Sequence, residues 1–66
     1  MRKTYSKNNI VWKLEDTNDK GEIWRVIEFF KSGYVHFIQI FQNKKLIEKH
    51  AYNESEKRTF GNFNFE

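Results

Sequence analysis

Two groups of side chains in this sequence have the residue types that metal or acid–base chemistry requires. His36 and His50 are the only histidines. A chain reversal between them places both on neighbouring strands, where two imidazoles can bind a metal or titrate together near neutral pH. A zinc site normally has at least three protein ligands, and the chain has no cysteine and no evident third ligand. We therefore interpret the pair as two strand residues and predict no metal site.

The second group is a cluster of four carboxylates between residues 15 and 22. A twelve-residue calcium loop has acidic residues at alternating positions, glycine at the sixth and glutamate at the last. Here Lys20 precedes Gly21 in a shorter turn, so the acidic residues are interpreted as turn residues. The serines lack a glycine elbow, and the three glycines form no phosphate-binding loop. The sequence predicts a protein that is not an enzyme and has no cofactor.

Aromatic and basic residues give the stronger functional signal. The chain has two Trp, three Tyr and seven Phe among 66 residues. A domain of this size buries only about 60% of the surface of its unfolded chain, so some rings are expected at the surface. Proteins that bind single-stranded nucleic acid stack bases on sheet aromatics and contact the backbone through Lys or Arg. Neighbours such as Trp12 and Lys13 combine both types, although adjacent strand residues point to opposite faces.

These residues predict a non-catalytic binding protein that engages nucleic acid or another polyanion. The candidate binding residues are Lys13, Arg25, Lys31, Tyr34, Lys44, Lys45, Phe63 and Phe65. Core packing is the alternative for the large rings, and it applies to Trp12, Trp24, Phe29, Phe37 and Phe41. For Phe63 and Phe65, which alternate with asparagine, the alternatives are packing on the protein's own sheet and contact with a subunit or partner.

The charge distribution alternates along the chain. The net charge is +3: residues 1–14 contribute four bases and no acid, residues 15–30 two bases and five acids, and residues 31–50 four lysines and one acid. Folding can bring the two basic segments onto one surface that attracts polyanions. The alternative is a mixed-charge surface that only keeps the protein soluble.

Hydrophobic alternation predicts the elements that must position these residues. The four predicted strands are Ile10–Glu15, Glu22–Phe30, Tyr34–Gln42 and Leu46–Tyr52. Residues 16–21, 31–33 and 43–45 supply the turn chemistry between them. The last strand has an alternative, a short helix within residues 44–58, because its apolar residues also fit one helical face.

The predicted fold is all-β, a small antiparallel meander of four to five strands that can curl into an SH3-like or OB-like half barrel. Residues 1–66 form one small domain, with residues 1–8 as a flexible basic arm. The second and third strands are apolar on both faces, which in so short a chain predicts a homo-oligomer.

Cysteine content and hydropathy predict the compartment. The absence of cysteine fits a reducing environment, and the amino terminus lacks the apolar run of a secretory signal. Apolar stretches fall far short of the roughly 20 residues that span a bilayer. A cytoplasmic protein without membrane contact is expected. The second functional hypothesis is a small regulatory or inhibitory protein of the phage or mobile-element type, which docks on a host protein through an aromatic patch.

Overall fold

The computed structural model describes residues 1–60, which form one five-stranded antiparallel sheet with its strands in chain order. The strands are β1 (Arg2–Lys7), β2 (Ile10–Thr17), β3 (Ile23–Phe29), β4 (Val35–Gln42) and β5 (Lys45–Ala51), and a 3-10 turn follows at Glu54–Glu56. The predicted all-β meander is confirmed. The segment over residues 44–58 forms β5 and the 3-10 turn, so the short helix considered as its alternative is wrong.

Two of the four reversals are two-residue turns with left-handed backbone. Asn8 and Asn9 have φ of 55° and 65°, and Asn43 and Lys44 have φ of 52° and 66°. Positive φ at both central residues is the type I′ geometry, whose twist matches that of the flanking strands, and asparagine tolerates it better than most residues. These turns fix the register of the first and last hairpins.

The amino-terminal residues differ from the predicted flexible arm. Arg2–Lys7 form β1, an edge strand paired along its length with β2. The Met1 ammonium also donates a hydrogen bond to the Thr17 carbonyl at 2.9 Å. The arm was predicted because this segment has little apolar alternation. The Asn8–Asn9 turn was the available sign of a hairpin.

Within residues 1–60, each of the four strand pairs contains a β-bulge, always on the second strand of the hairpin. The register shifts leave one extra residue in each case. The extra residues are Trp12, Trp24, His36 and Ile47. A bulge bends its strand and increases the local twist, so four bulges on successive strands curl the sheet.

The bulges also interrupt the side-chain alternation that the sequence predicts. Val35 was expected on the opposite face from Ile38, but the bulge at His36 turns both side chains toward the core. In the same way the bulge at Trp12 turns Val11 to the face that Leu14 occupies. Strict alternation fails here because each extra residue moves the side chains on one side of the bulge to the opposite face of the sheet from the one that the sequence pattern predicts.

The core lies on one face of the sheet. Its buried residues are Leu14, Ile27, Phe29 and Val35, and Val11, Ile38, Tyr52 and Phe60 pack against them. The chain after β5 returns over this face, where the Val35 amide donates a hydrogen bond to the Arg58 carbonyl at 2.7 Å. Among the aromatic residues considered as core, Phe29 alone is buried, because Trp12 and Trp24 occupy bulges and Phe37 and Phe41 lie on the other face.

Asp16 is the buried charge of this core face. Its carboxylate accepts hydrogen bonds from Arg2 Nε at 2.8 Å and from Arg25 Nε at 2.7 Å. Burial raises the pKa of Asp16, but the two arginines outweigh it through hydrogen bonds and charge, and the pKa lies below its ordinary value of 3.8. Arg2 and Arg25 also lie over the Phe60 ring. The cluster therefore joins β1, β2, β3 and the carboxy-terminal segment.

We expect Ile27→Ala to lower the free energy of unfolding by about 2–5 kcal/mol, because it leaves a cavity in the core. Ile27 is 0% exposed. Urea unfolding followed by tryptophan fluorescence measures the change. The matched control is Ile47→Ala, at a residue that is 50% exposed, with an expected loss of about 0.5 kcal/mol or less. Equal losses in both variants would contradict this assignment of the core.

Asp16 is also expected to make stability depend on pH. A carboxyl whose pKa is lower in the folded protein than in the unfolded chain stabilises the fold above the unfolded pKa, and this contribution disappears as the pH falls through the folded pKa. Stability should therefore fall as the pH drops below about 4, and Asp16→Asn should flatten that fall and be less stable at neutral pH. Chemical unfolding at a series of pH values measures both effects. Asp19→Asn, in an exposed turn, is the control, and equal flattening by both variants would exclude the arginine contacts as the cause.

Candidate functional site

The sheet face opposite the core carries two rows of paired residues that cross all five strands. We call it the open face and define it by these rows. The first row is Tyr5, Lys13, Glu28, Phe37 and Ala51; the second is Lys3, Glu15, Val26, Gln39 and Lys49. The described carboxy-terminal segment contacts the other face through Tyr52 and Phe60. The open face is thus a mixture of rings, lysines and two glutamates.

Lysine side chains lie over the rings of this face. The ammonium nitrogens of Lys3 and Lys13 are 5.0 and 5.3 Å from the Tyr5 ring centroid, and that of Lys49 is 5.2 Å from the Phe37 centroid. These distances are within the range of cation–π attraction. Positive charge and aromatic surface are therefore adjacent on both sides of β3.

Glu15 holds part of this arrangement in place. It accepts a hydrogen bond from the Tyr5 hydroxyl at 2.9 Å and pairs with Lys13 Nζ at 3.3 Å. Burial raises the pKa of Glu15. The hydrogen bonds from Tyr5 and Lys13 and the charges of Lys13 and Lys3 lower it by more than burial raises it, so the pKa lies below its ordinary value of 4.5. The hydrogen bond from its hydroxyl to Glu15 restrains the orientation of the Tyr5 ring.

A groove opens at one end of the sheet, between the β1–β2 and β3–β4 turns. The pairing of β2 with β3 ends at Lys13 and Glu28, so residues 10–12 and 29–31 are not paired with each other. The bulge at Trp12 bends β2 away from β3 at this point. The resulting cavity, which we call the first groove, has a volume of about 420 Å³ and is lined by Lys7, Asn8, Ile10, Trp12, Phe29 and Lys31.

The first groove combines an aromatic wall with two cations. Trp12 is 43% exposed, and its ring centroid is 5.7 Å from that of Tyr5 on the open face. Lys7 ends β1 beside one of the turns that border the groove, and Lys31 lies in the other. The described residues that line it include no carboxylate. A planar group can therefore contact Trp12 while an attached anion meets a lysine.

A second groove has the same origin at the other end of the sheet. The pairing of β3 with β4 ends at Arg25 and Ile40, just before the bulge at Trp24. The second groove has a volume of about 500 Å³. It is lined by Lys20, Gly21, Glu22, Ile23, Val26, Phe41 and Lys44. Like the first groove, it combines apolar side chains with two lysines, but its lining also includes the carboxylate of Glu22.

The corresponding gap between β4 and β5 is occupied by the chain itself. There the bulge at His36 coincides with the end of the β4–β5 pairing at Phe37 and Ala51. The Tyr52 amide donates to the His36 carbonyl at 2.8 Å, and Val35 pairs with Arg58. The chain after β5 thus fills the third gap through Tyr52 and Arg58, whereas no described segment fills the first two.

The predicted binding residues do not converge on one surface. Lys13 lies on the open face, Lys31 in the first groove and Lys44 in the second, while Lys45 begins β5 at the exposed edge. Arg25 lies on the core face, bound to Asp16, and Tyr34 is half-buried just before β4. Phe63 and Phe65 lie outside the described residues.

Sequence reasoning missed Lys7 and Lys20 and considered Trp12 a core residue. Lys7 was assigned to the arm, and Lys20 was treated as part of a turn without a binding role. The signal that could have identified the first groove is the Asn8–Asn9 turn, because it places Lys7 opposite Ile10.

The two histidines do not form a pair. The His36 ring stacks on Phe30 with centroids 4.3 Å apart, whereas His50 Nε2 is 3.0 Å from Glu48 Oε1. Among residues 1–60, no three His, Asp or Glu side chains are grouped so that they could hold a metal ion.

Comparison with known proteins gives no match: no family model, no curated protein and no solved structure is significantly similar to this chain. In the part of the chain that the structure describes, no helix is long and apolar enough to cross a membrane.

Proposed function

We propose that this protein is a non-catalytic binding protein that engages single-stranded nucleic acid through its first groove. The observation that carries the proposal is the juxtaposition of exposed Trp12 with Lys7 and Lys31 in a groove whose described lining has no carboxylate. Stacking on an aromatic ring contributes about 1–3 kcal/mol per base, and lysines at the rim neutralise the flanking phosphates.

The remaining charges support a polyanionic ligand. The chain has 12 Lys and Arg against 9 Asp and Glu. Two of the acidic residues, Asp16 and Glu15, are bound to basic side chains within the fold. These contacts also occupy Arg2, Arg25 and Lys13, which leaves nine basic residues against seven acidic ones. Two of the remaining lysines line each groove. The proposed place of action is the cytoplasm.

The two tryptophans allow a direct test. We expect a short single-stranded oligonucleotide to quench tryptophan fluorescence in a saturable manner at low salt, and less at moderate salt. Trp24→Phe should keep this response, whereas Trp12→Phe should lose it. Fluorescence titration of both variants measures the difference.

Trp24 is a matched control because it is similarly exposed, at 38%, but lies beside Arg25, 4.6 Å from ring centroid to guanidinium carbon. Trp12→Ala should in addition weaken binding by about 1–3 kcal/mol. A response that follows Trp24, or a flat titration at low salt with no binding by an independent method such as calorimetry, would overturn the proposal.

A second candidate function is a small regulatory or inhibitory protein that docks on a host protein. The observation in its favour is β5, an edge strand whose seven residues are all exposed. Leu46 and Ile47 are 49% and 50% exposed. An edge strand with free backbone groups and apolar side chains can pair with a strand of another chain. The proposed homo-oligomer contact uses the same edge.

We expect Ile47→Lys to abolish self-association through β5, because a charge on an edge strand opposes pairing with a second strand. Sedimentation velocity at increasing protein concentration measures the effect. Ile10→Lys is the control, since Ile10 is 46% exposed but belongs to β2, away from the sheet edge. A wild-type protein that stays monomeric at all concentrations would contradict the oligomer.

A further inference from the structure

We infer that the two grooves are the ends of one binding track for a single strand of nucleic acid, which crosses the open face along β3. The inference rests on the proposed function. It extends the binding site from the first groove to a continuous surface that one nucleic-acid strand occupies. It requires that both grooves open on the same face and that the surface between them accept bases. It also requires that a duplex be excluded.

Side chains of the open face line both grooves, and the first groove is lined in addition by Phe29 of the core face. Lys7 follows Tyr5 by two residues on β1 and pairs with Ile10, so both Lys7 and Ile10 point to the side of Tyr5. At the other end, Val26 belongs to the open face, and Phe41 follows Gln39 of the same face by two residues. A ligand in one groove can therefore reach the other without passing around a sheet edge.

The surface between the grooves follows β3, which spans Ile23–Phe29. At about 3.3 Å per residue the strand is roughly 20 Å long, which several nucleotides are needed to cover. Val26, which is 8% exposed, lies in the middle of this path. Glu28 lies near its first-groove end, flanked by Lys13 on β2 and Phe37 on β4. An acidic residue repels phosphates, so a base lies over Glu28 and the neighbouring phosphates lie toward Lys13, which is beside Glu28 on β2.

The position of the groove rings between strands selects a single strand. Trp12 and Phe41 line grooves that lie between splayed strands, so a base must leave its stack to contact them. Duplex bases are paired and stacked, and extruding one costs a few kcal/mol. A single strand has no such cost, because its bases are already free to turn toward the protein.

The test removes the lysines of each groove in turn and measures how the resulting loss of binding affinity depends on oligonucleotide length. Thymidine oligonucleotides from two to about twelve residues are titrated in the Trp24→Phe background, with Trp12 fluorescence as the readout. The first-groove variant carries Lys7→Gln and Lys31→Gln, and the second-groove variant carries Lys20→Gln and Lys44→Asn. Asparagine is chosen at position 44 because φ there is 66°.

The expected result is that only the first-groove variant weakens binding of the dinucleotide, whereas both variants weaken binding of long oligonucleotides. Affinity should rise with length and then reach a plateau. For long oligonucleotides each double variant should reduce the slope of log affinity against log salt by about 1.4, which is two charges at about 0.7 each. A matched duplex should bind less tightly than either of its strands.

Lys57→Asn is the control, since Lys57 lies after the 3-10 turn on the carboxy-terminal segment, where φ is 52°. It should leave the salt slope unchanged. If every length binds but the second-groove variant changes nothing, or if the duplex binds as tightly as its strands, the track is wrong while the proposed function stands. If no oligonucleotide binds at any salt concentration, both are wrong.

Discussion

The β-bulge on the second strand of every hairpin is the constraint on which the rest of this structure depends. Each bulge adds one residue that has no partner, bends the strand and increases its twist. A flat meander would present two long faces to solvent, with apolar residues on both. The curled sheet instead gathers Leu14, Ile27 and Val35 on one face, where the chain after β5 can cover them.

The same bulges produce the surfaces available for binding. Where a bulged strand bends away from its next neighbour, backbone pairing ends and a gap remains. The gap between β4 and β5 is filled by the carboxy-terminal segment through Val35 and Arg58. The other two gaps are the first and second grooves, each with two lysines and apolar side chains. Fold and candidate site thus have one physical origin.

Charge divides the two faces into different roles. On the core face, Asp16 is buried and bound by Arg2 and Arg25, so these arginines are occupied in joining strands. On the open face and in the grooves, lysines lie over rings or at the rims of cavities. A flexible, strongly hydrated ammonium suits contact with phosphates of varied geometry, whereas the planar guanidinium suits a fixed carboxylate partner.

The sequence by itself determined the fold class, the strands β2 to β5 and the turns between them, because alternation, asparagine and glycine act locally on the backbone. It did not determine β1, because residues 2–7 have little apolar alternation and pair only as an edge strand of the folded sheet. It could not determine the bulges, since an extra residue in a strand depends on the register with its neighbour. That register decided that Val35 rather than His36 enters the core and that Trp12 lines a groove. It also brought Lys7 and Lys31, 24 positions apart in the chain, to the rim of one cavity. Only the tertiary structure places these two lysines at one cavity, because their proximity follows from strand curvature and not from their spacing in the sequence.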